Sequence, residues 1–259
     1  MSFFDWIFKL LSEYSVQFLN GTKNTLIMAL CGTLVGFIIG LGIAIVRTIP
    51  VEENAHVGKK IFFKTVNVLL SAYVEIIRGT PMLVQALIVH YSLFAKMGIP
   101  SLLSAMIIIS FNTGAYMAEI VRGGIMSIDK GQFEGAHSVG MSHWQTMYHV
   151  ILPQAIKNIM PSIGNEFVVN IKDSSVLSVI AITELMFISK QAGGAYAKFV
   201  PAYVICAVIY FILTFTVTRI LRFIEKKLQG KDSYTVCGSQ SDPKAEIHVN
   251  NNKGVNHNV

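Results

Sequence analysis

A few polar residues lie inside long apolar stretches of this sequence, and their types suggest binding chemistry. Glu166 and Asn170 are four residues apart, so a helix would place them on one face. Asn112 lies in a separate apolar stretch. A carboxylate and amides within a membrane could hold the ammonium and polar groups of a small zwitterion. The same three residues could instead bond neighbouring helices, and both interpretations stay open at this point.

A second group of residues predicts a break in a helix. Glu75 and Arg78 are three residues apart, so they can pair on a helix and reduce the cost of lying near lipid. Gly79 and Pro81 follow directly, and proline in a helix interior breaks or kinks it. We favour an architectural role for these four residues over contact with a substrate.

The remaining candidates give no catalytic or metal site. Lys172 and Asp173 are adjacent, so they cannot share a helix face, and we expect structural roles with different partners. His137, His143 and His149 recur every six residues, which scatters them around a helix, whereas metal ligands must converge. We therefore predict no metal and no catalytic residue in this chain.

Nucleotide binding is also not expected of this chain. The sequence contains no G-x-x-x-x-G-K-[ST] string, the loop that cradles phosphates in many ATPases. It also lacks a nucleophile–base string or paired Asp motif within its apolar stretches. Any ATP and Mg²⁺ would have to be bound by partner subunits.

The composition requires a membrane. Of 259 residues, 53% are hydrophobic and only 14% are charged, against about 25% charged in soluble domains. The surplus apolar surface must face lipid. The net charge of +6 comes from basic residues between and after the apolar stretches, which indicates membrane topology and no nucleic-acid partner.

The apolar pattern predicts an all-α integral membrane protein. Residues 1–20 carry charges on one helical face and aromatic residues on the other, which predicts a retained interfacial helix on the external side. Residues 229–259 are polar and non-periodic, which predicts a disordered cytoplasmic tail. Between them, the domain at 21–228 is expected to span the membrane five times, at 24–46, 65–95 with a break at 79–81, 101–121, 158–183 and 199–221.

The distribution of Lys and Arg predicts the orientation. Most of the 21 basic residues lie in the segments 47–64 and 122–157 and from residue 219 onward. By the positive-inside rule these segments are cytoplasmic, so the N-terminus is outside and the C-terminus is inside. From these boundaries Glu166 and Asn112 both lie near the middle of the membrane, ~12 Å and ~16 Å from their entry points.

The segment from Glu134 to Pro153, EGAHSVGMSHWQTMYHVILP, predicts two short cytoplasmic helices. Gly140 permits a tight turn after the first helix, and the second helix is expected to stop before Pro153.

This segment resembles the EAA loop of membrane subunits in ATP-binding-cassette importers. That loop reads Glu-Ala-Ala, three residues, Gly, nine residues, Ile, one residue and Leu-Pro. Here a Gly replaces the second residue and Val150 replaces the Ile, and both are small or β-branched exchanges. The positions that the resemblance identifies as ATPase-coupling are Glu134, Gly135, Ala136, Gly140, Leu152 and Pro153.

Three more strings resemble the polar amino-acid permeases within that family. They are E-I-I-R-G-T-P at 75–81, A-Y-M-A-E-I-V-R-G-G-I at 115–125 and K-D-S-S at 172–175. The resemblance implies a permease subunit in a bacterial plasma membrane. It also implies a second permease chain, identical or closely related, two cytosolic ATPase subunits and an extracellular solute-binding protein. An ion-coupled amino-acid carrier is the alternative, but it predicts an internal repeat that the sequence does not show.

Overall fold

The structure is a computed structural model that describes residues 2–49 and 56–229. Within these ranges it contains helices and no strand, which confirms the predicted all-α class. The predicted tail lies, except for its first residue, outside the described residues. The α-helices are α1 (Phe3–Arg47), α2 (Val57–Gly79), α3 (Met82–Val89), α4 (Ser101–Met126), α5 (Lys130–Ser138), α6 (His143–Thr146), α7 (Leu152–Asp173), α8 (Leu185–Ala195) and α9 (Phe199–Gln229).

Helix α1 corrects the prediction of a separate interfacial helix at 1–20. It is one helix of 45 residues, so its length is about 67 Å at 1.5 Å per residue. Gly21, the residue best suited to a break, serves close packing instead. A Cβ built there would meet Leu185 Cα of α8 at 3.2 Å. The N-terminal part of α1 therefore packs on α8 and α9, with Leu10 and Phe18 buried in that contact.

A row of small residues brings α1 and α4 into close contact. Gly32, Gly36 and Gly40 recur every four residues and face Ile109, Thr113 and Met117 of α4. Small residues at this spacing allow two helix backbones to approach closely within a membrane. The two helices run parallel in register, because each step of four residues on α1 meets a step of four on α4.

The predicted break at 79–81 is present. Helix α2 ends at Gly79, α3 begins at Met82, and the two axes differ by 109°. Pro81 takes the first position before α3, where its missing N–H costs nothing. Helix α3 continues into a π-helical turn, His90–Phe94, which packs into the core beneath α4.

Three described helices are long and apolar enough to cross a membrane, namely α1, α4 and α9. The bent pair formed by α2 with α3 and its π-helical turn raises this number to four. Helix α7 is not among them because its polar residues, Glu166 and Lys172 included, lower its hydropathy. The total of five spans therefore stays a prediction.

Helix α7 also differs in its boundaries from the predicted span at 158–183. It begins at Leu152 and ends at Asp173, where the chain tightens into a 3-10 helix, Ser174–Ile180. Ala181 then adopts a left-handed conformation, with a φ of 59°, and turns the chain into α8. Helices α8 and α9 form a hairpin, in which a Cβ on Gly193 would meet Phe199 Cα at 3.0 Å.

Candidate functional site

A buried polar junction joins three helices at the level of the predicted pathway. The Asn170 amide of α7 donates to Thr33 Oγ1 of α1 at 2.9 Å. It also accepts a hydrogen bond from Thr113 Oγ1 of α4 at 2.9 Å. All three side chains are buried. Because both amide atoms have protein partners, the geometry supports helix bonding by Asn170, and contact with a substrate remains only a prediction.

Asn112 has a different partner from its neighbour Thr113. Its amide donates to Gln85 Oε1 of α3 at 3.0 Å. Gln85 in turn donates to the carbonyl oxygens of Ile77 and Thr80, at 2.9 and 3.0 Å. This chain of bonds connects α4 to the break between α2 and α3. Asn112 thus bonds to α3, whereas Asn170 bonds to Thr113 on α4. The two predicted pathway residues therefore take part in different helix contacts.

Glu166 lies one turn before Asn170 on α7 and is 3% exposed. A buried carboxylate is costly unless it serves a cavity or a polar contact between helices. Contact between Glu166 and a substrate therefore stays a prediction.

The predicted pair between Glu75 and Arg78 is wrong for the described structure. Both side chains are exposed, and no ion pair joins them. The Arg78 guanidinium lies over the Tyr116 ring of α4, 5.3 Å from its centroid, in a cation–π contact. Glu75 instead lines an open groove along α2, of about 560 Å³, together with Lys60 and Lys64.

An ion-pair cluster that was not predicted lies near residues 134–153, which we call the coupling segment. Glu119 of α4 pairs with Arg47 at the end of α1, at 2.5 Å, and with Arg122 at 2.7 Å. The carboxylate therefore holds the last turn of α1 against α4. Glu119 and Arg122 could have been noted from their i, i+3 spacing, but Arg47 is 72 residues away from Glu119.

A second carboxylate that sequence analysis missed organises α8. Glu184 is fully buried and caps the helix by accepting from the backbone N–H groups of Met186 and Phe187, at 2.8 and 2.6 Å. It also accepts from the Tyr210 hydroxyl of α9 at 2.9 Å. A carboxylate at a helix N-cap satisfies amides that would otherwise lack partners. Its position before an apolar run was the available signal.

The coupling segment is a helix, a tight turn and a second helix. Asp129 caps α5 by accepting from Gly131 N at 2.7 Å. Gly140 ends α5 with a φ of 82°, and the Met141 N–H bonds back to Ala136 O at 3.1 Å. This pattern is a Schellman motif, which favours glycine. Ser142 and Gln145 then form a capping box that begins α6.

The expected stop before Pro153 is wrong. Helix α6 continues through a π-helical turn, Met147–Ile151, directly into α7. Pro153 lies in the first turn of α7, where a missing N–H is tolerated. The π-helical turn shifts the backbone hydrogen bonds by one residue just before the proline. The chain therefore stays helical from α6 into α7. Movement of α6 would therefore be transmitted directly to α7.

The coupling segment has one buried face and one exposed face. Met147, Ile151 and Leu152 pack with Ala44 and Val121 in the core. On the opposite side Val139, Trp144 and Tyr148 are 78%, 58% and 71% exposed. Exposed aromatic residues on a rigid element are typical of protein interfaces. Of the predicted coupling residues, Ala136 and Leu152 face inward, whereas Glu134, Gly135, Gly140 and Pro153 are exposed.

His143 provides a test of the geometry of this turn. Partial burial, followed by the nearby His137, lowers the pKa of His143 below its ordinary value. A lowered pKa means that the fold favours the neutral ring. The contribution of His143 to folding stability is therefore complete above pH ~6.5 and is lost as the pH falls below that value. We expect the His143 ring to titrate below pH ~6.5 in an NMR experiment on the full-length chain in nanodiscs.

The His137→Asn variant is the control for this titration. Removing the neighbouring charge should raise the His143 midpoint toward the ordinary value, although burial should keep it from reaching that value. A midpoint at or above the ordinary histidine value in the unsubstituted chain would contradict the described packing of α6.

Comparison with known proteins places this arrangement in a family. Residues 57–230 match the family described as "Binding-protein-dependent transport system inner membrane component". The chain is 32% identical to the glutamine transport system permease protein GlnP of Escherichia coli (strain K12), covering 82% of this chain and 92% of that protein. It is 35% identical to the L-cystine transport system permease protein TcyB of Bacillus subtilis (strain 168), covering 76% and 81%.

Solved structures agree with this placement. An amino acid ABC transporter crystallised with histidines matches with a TM-score of 0.74 and 34% identity, covering 88% of this chain and 99% of that chain. The MetNI methionine ABC transporter, in an inward-facing form, matches at 19% identity with a TM-score of 0.65, which shows a shared fold. The chain belongs to the family of binding-protein-dependent transport system inner membrane components and is a permease subunit of the amino-acid ABC importer type.

Proposed function

We propose that this chain forms half of the membrane pathway of an ATP-driven importer for a polar amino acid. It works with a second permease chain, two cytosolic ATPase subunits and an extracellular solute-binding protein. The relatives are permeases named for glutamine, arginine and cystine, which supports a polar amino acid as substrate. The chain itself binds no nucleotide, and the ATPase subunits use ATP and Mg²⁺.

In this proposal the N-terminus is outside and α5 and α6 face the cytoplasm. The positions of the basic residues support this orientation, because Arg47, Arg122 and Lys130 lie at the same end of the molecule as the coupling segment. The Glu119 ion pairs fix α1 and α4 at that end.

The observation that carries the proposal is the amphipathic coupling segment. Its inner face is fixed in the core, its outer face presents Trp144 and Tyr148, and α6 is continuous with α7. A partner that binds the outer face can therefore move a helix that carries Glu166. ATP-driven closure of the ATPase subunits supplies such a movement.

Replacement of Trp144 by Ala tests this surface. Loss of a large aromatic anchor at an interface typically costs 2 kcal/mol or more, about a thirtyfold loss in affinity. We expect the Trp144→Ala chain to remain in the membrane but to recover far less ATPase subunit on co-purification. Phe223→Ala is the matched control, because Phe223 is 70% exposed but lies on α9, outside the coupling segment. Equal ATPase recovery with both variants would refute this assignment.

Glu166 is the residue that we propose for contact with the substrate. Glu166→Gln keeps the size and hydrogen-bonding capacity of the side chain and removes its charge. If the carboxylate holds the substrate ammonium, the substrate concentration for half-maximal ATPase stimulation should rise by about tenfold or more. An unchanged concentration dependence and maximum would remove Glu166 from the pathway.

Asn170→Ala is the comparison for this test. It deletes two hydrogen bonds that join α1, α4 and α7, so we expect less folded protein and little change in the concentration dependence of the remainder. The two variants thus separate a role in binding from a role in helix packing.

A further inference from the structure

A cationic groove lies between α7 and α9, away from the coupling segment. Its volume is about 280 Å³. Three of its side chains are basic and none is acidic. Its walls are formed by Val168, Lys172, Phe211, Thr214, Phe215, Thr218, Arg219 and Arg222.

The described ion pairs do not include these three cations. Within residues 2–49 and 56–229, no ion pair involves Lys172, Arg219 or Arg222. The nearest acidic residues along the chain, Asp173 and Glu225, do not line the groove. All three side chains are exposed, so an anion from outside the chain can reach them.

The two threonines in the groove donate their hydroxyl protons to the backbone of α9. Thr214 Oγ1 donates to Tyr210 O at 2.9 Å, and Thr218 Oγ1 donates to Thr214 O at 2.7 Å. Both hydroxyl protons are therefore used within α9. The Arg219 guanidinium lies 4.9 Å from the centroid of the Phe215 ring, which orients it along the groove wall.

The position of the groove matches the boundary of a bilayer. Helix α9 carries no charge from Phe199 to Thr218, a length of about 30 Å, which equals the hydrocarbon thickness of a membrane. Arg219 and Arg222 follow at the end of that length. Above them Phe211 and Phe215 are 65% and 48% exposed. The groove is thus apolar where it faces the hydrocarbon and cationic where it faces the headgroups.

Lys172 can reach the same region from α7. A Cβ on Gly164 would meet a Leu221 methyl at 3.2 Å, so these two residues lie at one level of the antiparallel pair. Lys172 is eight residues further along α7 than Gly164, toward the external side. Its Cα is therefore about 9 Å closer to the external side than that of Arg219. Its flexible stem can extend toward the headgroup region, as lysines near membrane surfaces commonly do.

We propose that this groove binds the headgroup of an anionic phospholipid. The phosphate lies between Arg219 and Arg222, with Lys172 as a third cation, and an acyl chain follows Phe211 and Phe215. Basic pockets between membrane helices are suited to such headgroups. A free amino acid fits less well, because no carboxylate lines the groove to receive its ammonium group. Free phosphate would gain nothing from the apolar wall.

The test compares lipids retained by the full-length chain. The chain is equilibrated in nanodiscs with equal amounts of phosphatidylglycerol and phosphatidylcholine and then examined by native mass spectrometry. We expect a clear preference for phosphatidylglycerol, and we expect Arg219→Gln with Arg222→Gln to reduce that preference roughly tenfold. Added inorganic phosphate should not displace the lipid, whereas displacement at millimolar concentration would identify an ordinary anion site and overturn the proposal.

Lys226→Gln with Lys227→Gln is the matched control. It removes the same number of charges from the same end of α9, but neither lysine lines the groove. The control should keep most of the preference. An equal loss of phosphatidylglycerol preference in both double variants would show that general surface charge causes the preference, which would overturn the proposal. Disulfide cross-linking between two chains through cysteines at position 215 would show that a second copy covers the groove, and that result would also overturn the proposal.

Discussion

Replacing Gly40 with alanine is expected to remove most of the correctly folded protein. A Cβ at this position would lie 2.5 Å from Met117 Cβ and 2.6 Å from Ala118 N. The second contact is with backbone, so no side-chain rotation can relieve it, and α1 and α4 must move apart. Overpacking of a close helix contact typically costs 1–3 kcal/mol, and we expect about 3 kcal/mol or more here.

Gly42→Ala is the matched control for this substitution. Gly42 lies two residues further along the same helix, and a Cβ there would meet nothing within 4 Å. Alanine should be neutral or slightly stabilising at that position, because it is the better helix former. The measurement is the thermal unfolding midpoint and the monodisperse fraction in detergent. Similar values for the two variants would contradict the close contact between α1 and α4.

Replacing Gly140 with proline is expected to abolish ATP-driven transport while leaving the protein in the membrane. Gly140 has a φ of 82°, whereas proline fixes φ near −65°. The turn between α5 and α6 cannot form with that backbone, so the exposed surface loses its shape. Because a Cβ at Gly140 would meet nothing within 4 Å, the core should be unaffected. We expect at least a tenfold loss of uptake at normal protein level.

Two further substitutions separate backbone conformation from side-chain size. Gly140→Asn should keep part of the activity, because asparagine tolerates a left-handed conformation better than other residues. Gly123→Ala should be near neutral, since a Cβ at Gly123 also meets nothing within 4 Å and the residue lies within α4. Near-normal uptake by the proline variant would show that the turn does not transmit the ATPase movement.

Local sequence rules were sufficient for much of this fold. Glycines at 32, 36 and 40 have the spacing that favours a close helix contact, and the structure supplies α4 as the partner. Pro81 predicted a break, and α2 and α3 meet there at 109°. Gly140 predicted a turn, and its positive φ confirms the need for glycine. In each case a few neighbouring residues determine the local backbone conformation or packing.

Partner choice across long separations was not readable in the same way. Asn170 was equally compatible with a cavity and with helix bonding until Thr33 and Thr113 were found opposite its amide. Arg78 had a carboxylate three residues away, yet it packs on Tyr116. Polar groups in a membrane bond to whichever neighbour the tertiary packing provides, and one sequence does not contain that information.

Element boundaries failed where tertiary contacts override local signals. The charges and aromatic residues of the first twenty positions suggested a separate helix, but α1 continues through Gly21, which packs on α8. Pro153 suggested a stop, but a π-helical turn carries the chain past it. Such a turn changes one hydrogen-bond register and leaves no distinct sequence signature.

The most direct test of the proposed function is amino-acid uptake by the reconstituted complex. The chain is placed in proteoliposomes with its ATPase and solute-binding partners, and uptake of a radiolabelled amino-acid mixture is followed. We expect uptake only with hydrolysable ATP on the side of α5 and α6, and no change when ionophores collapse the ion gradients. Uptake by the chain alone, driven by an ion gradient without ATP, would contradict the account and favour an ion-coupled carrier.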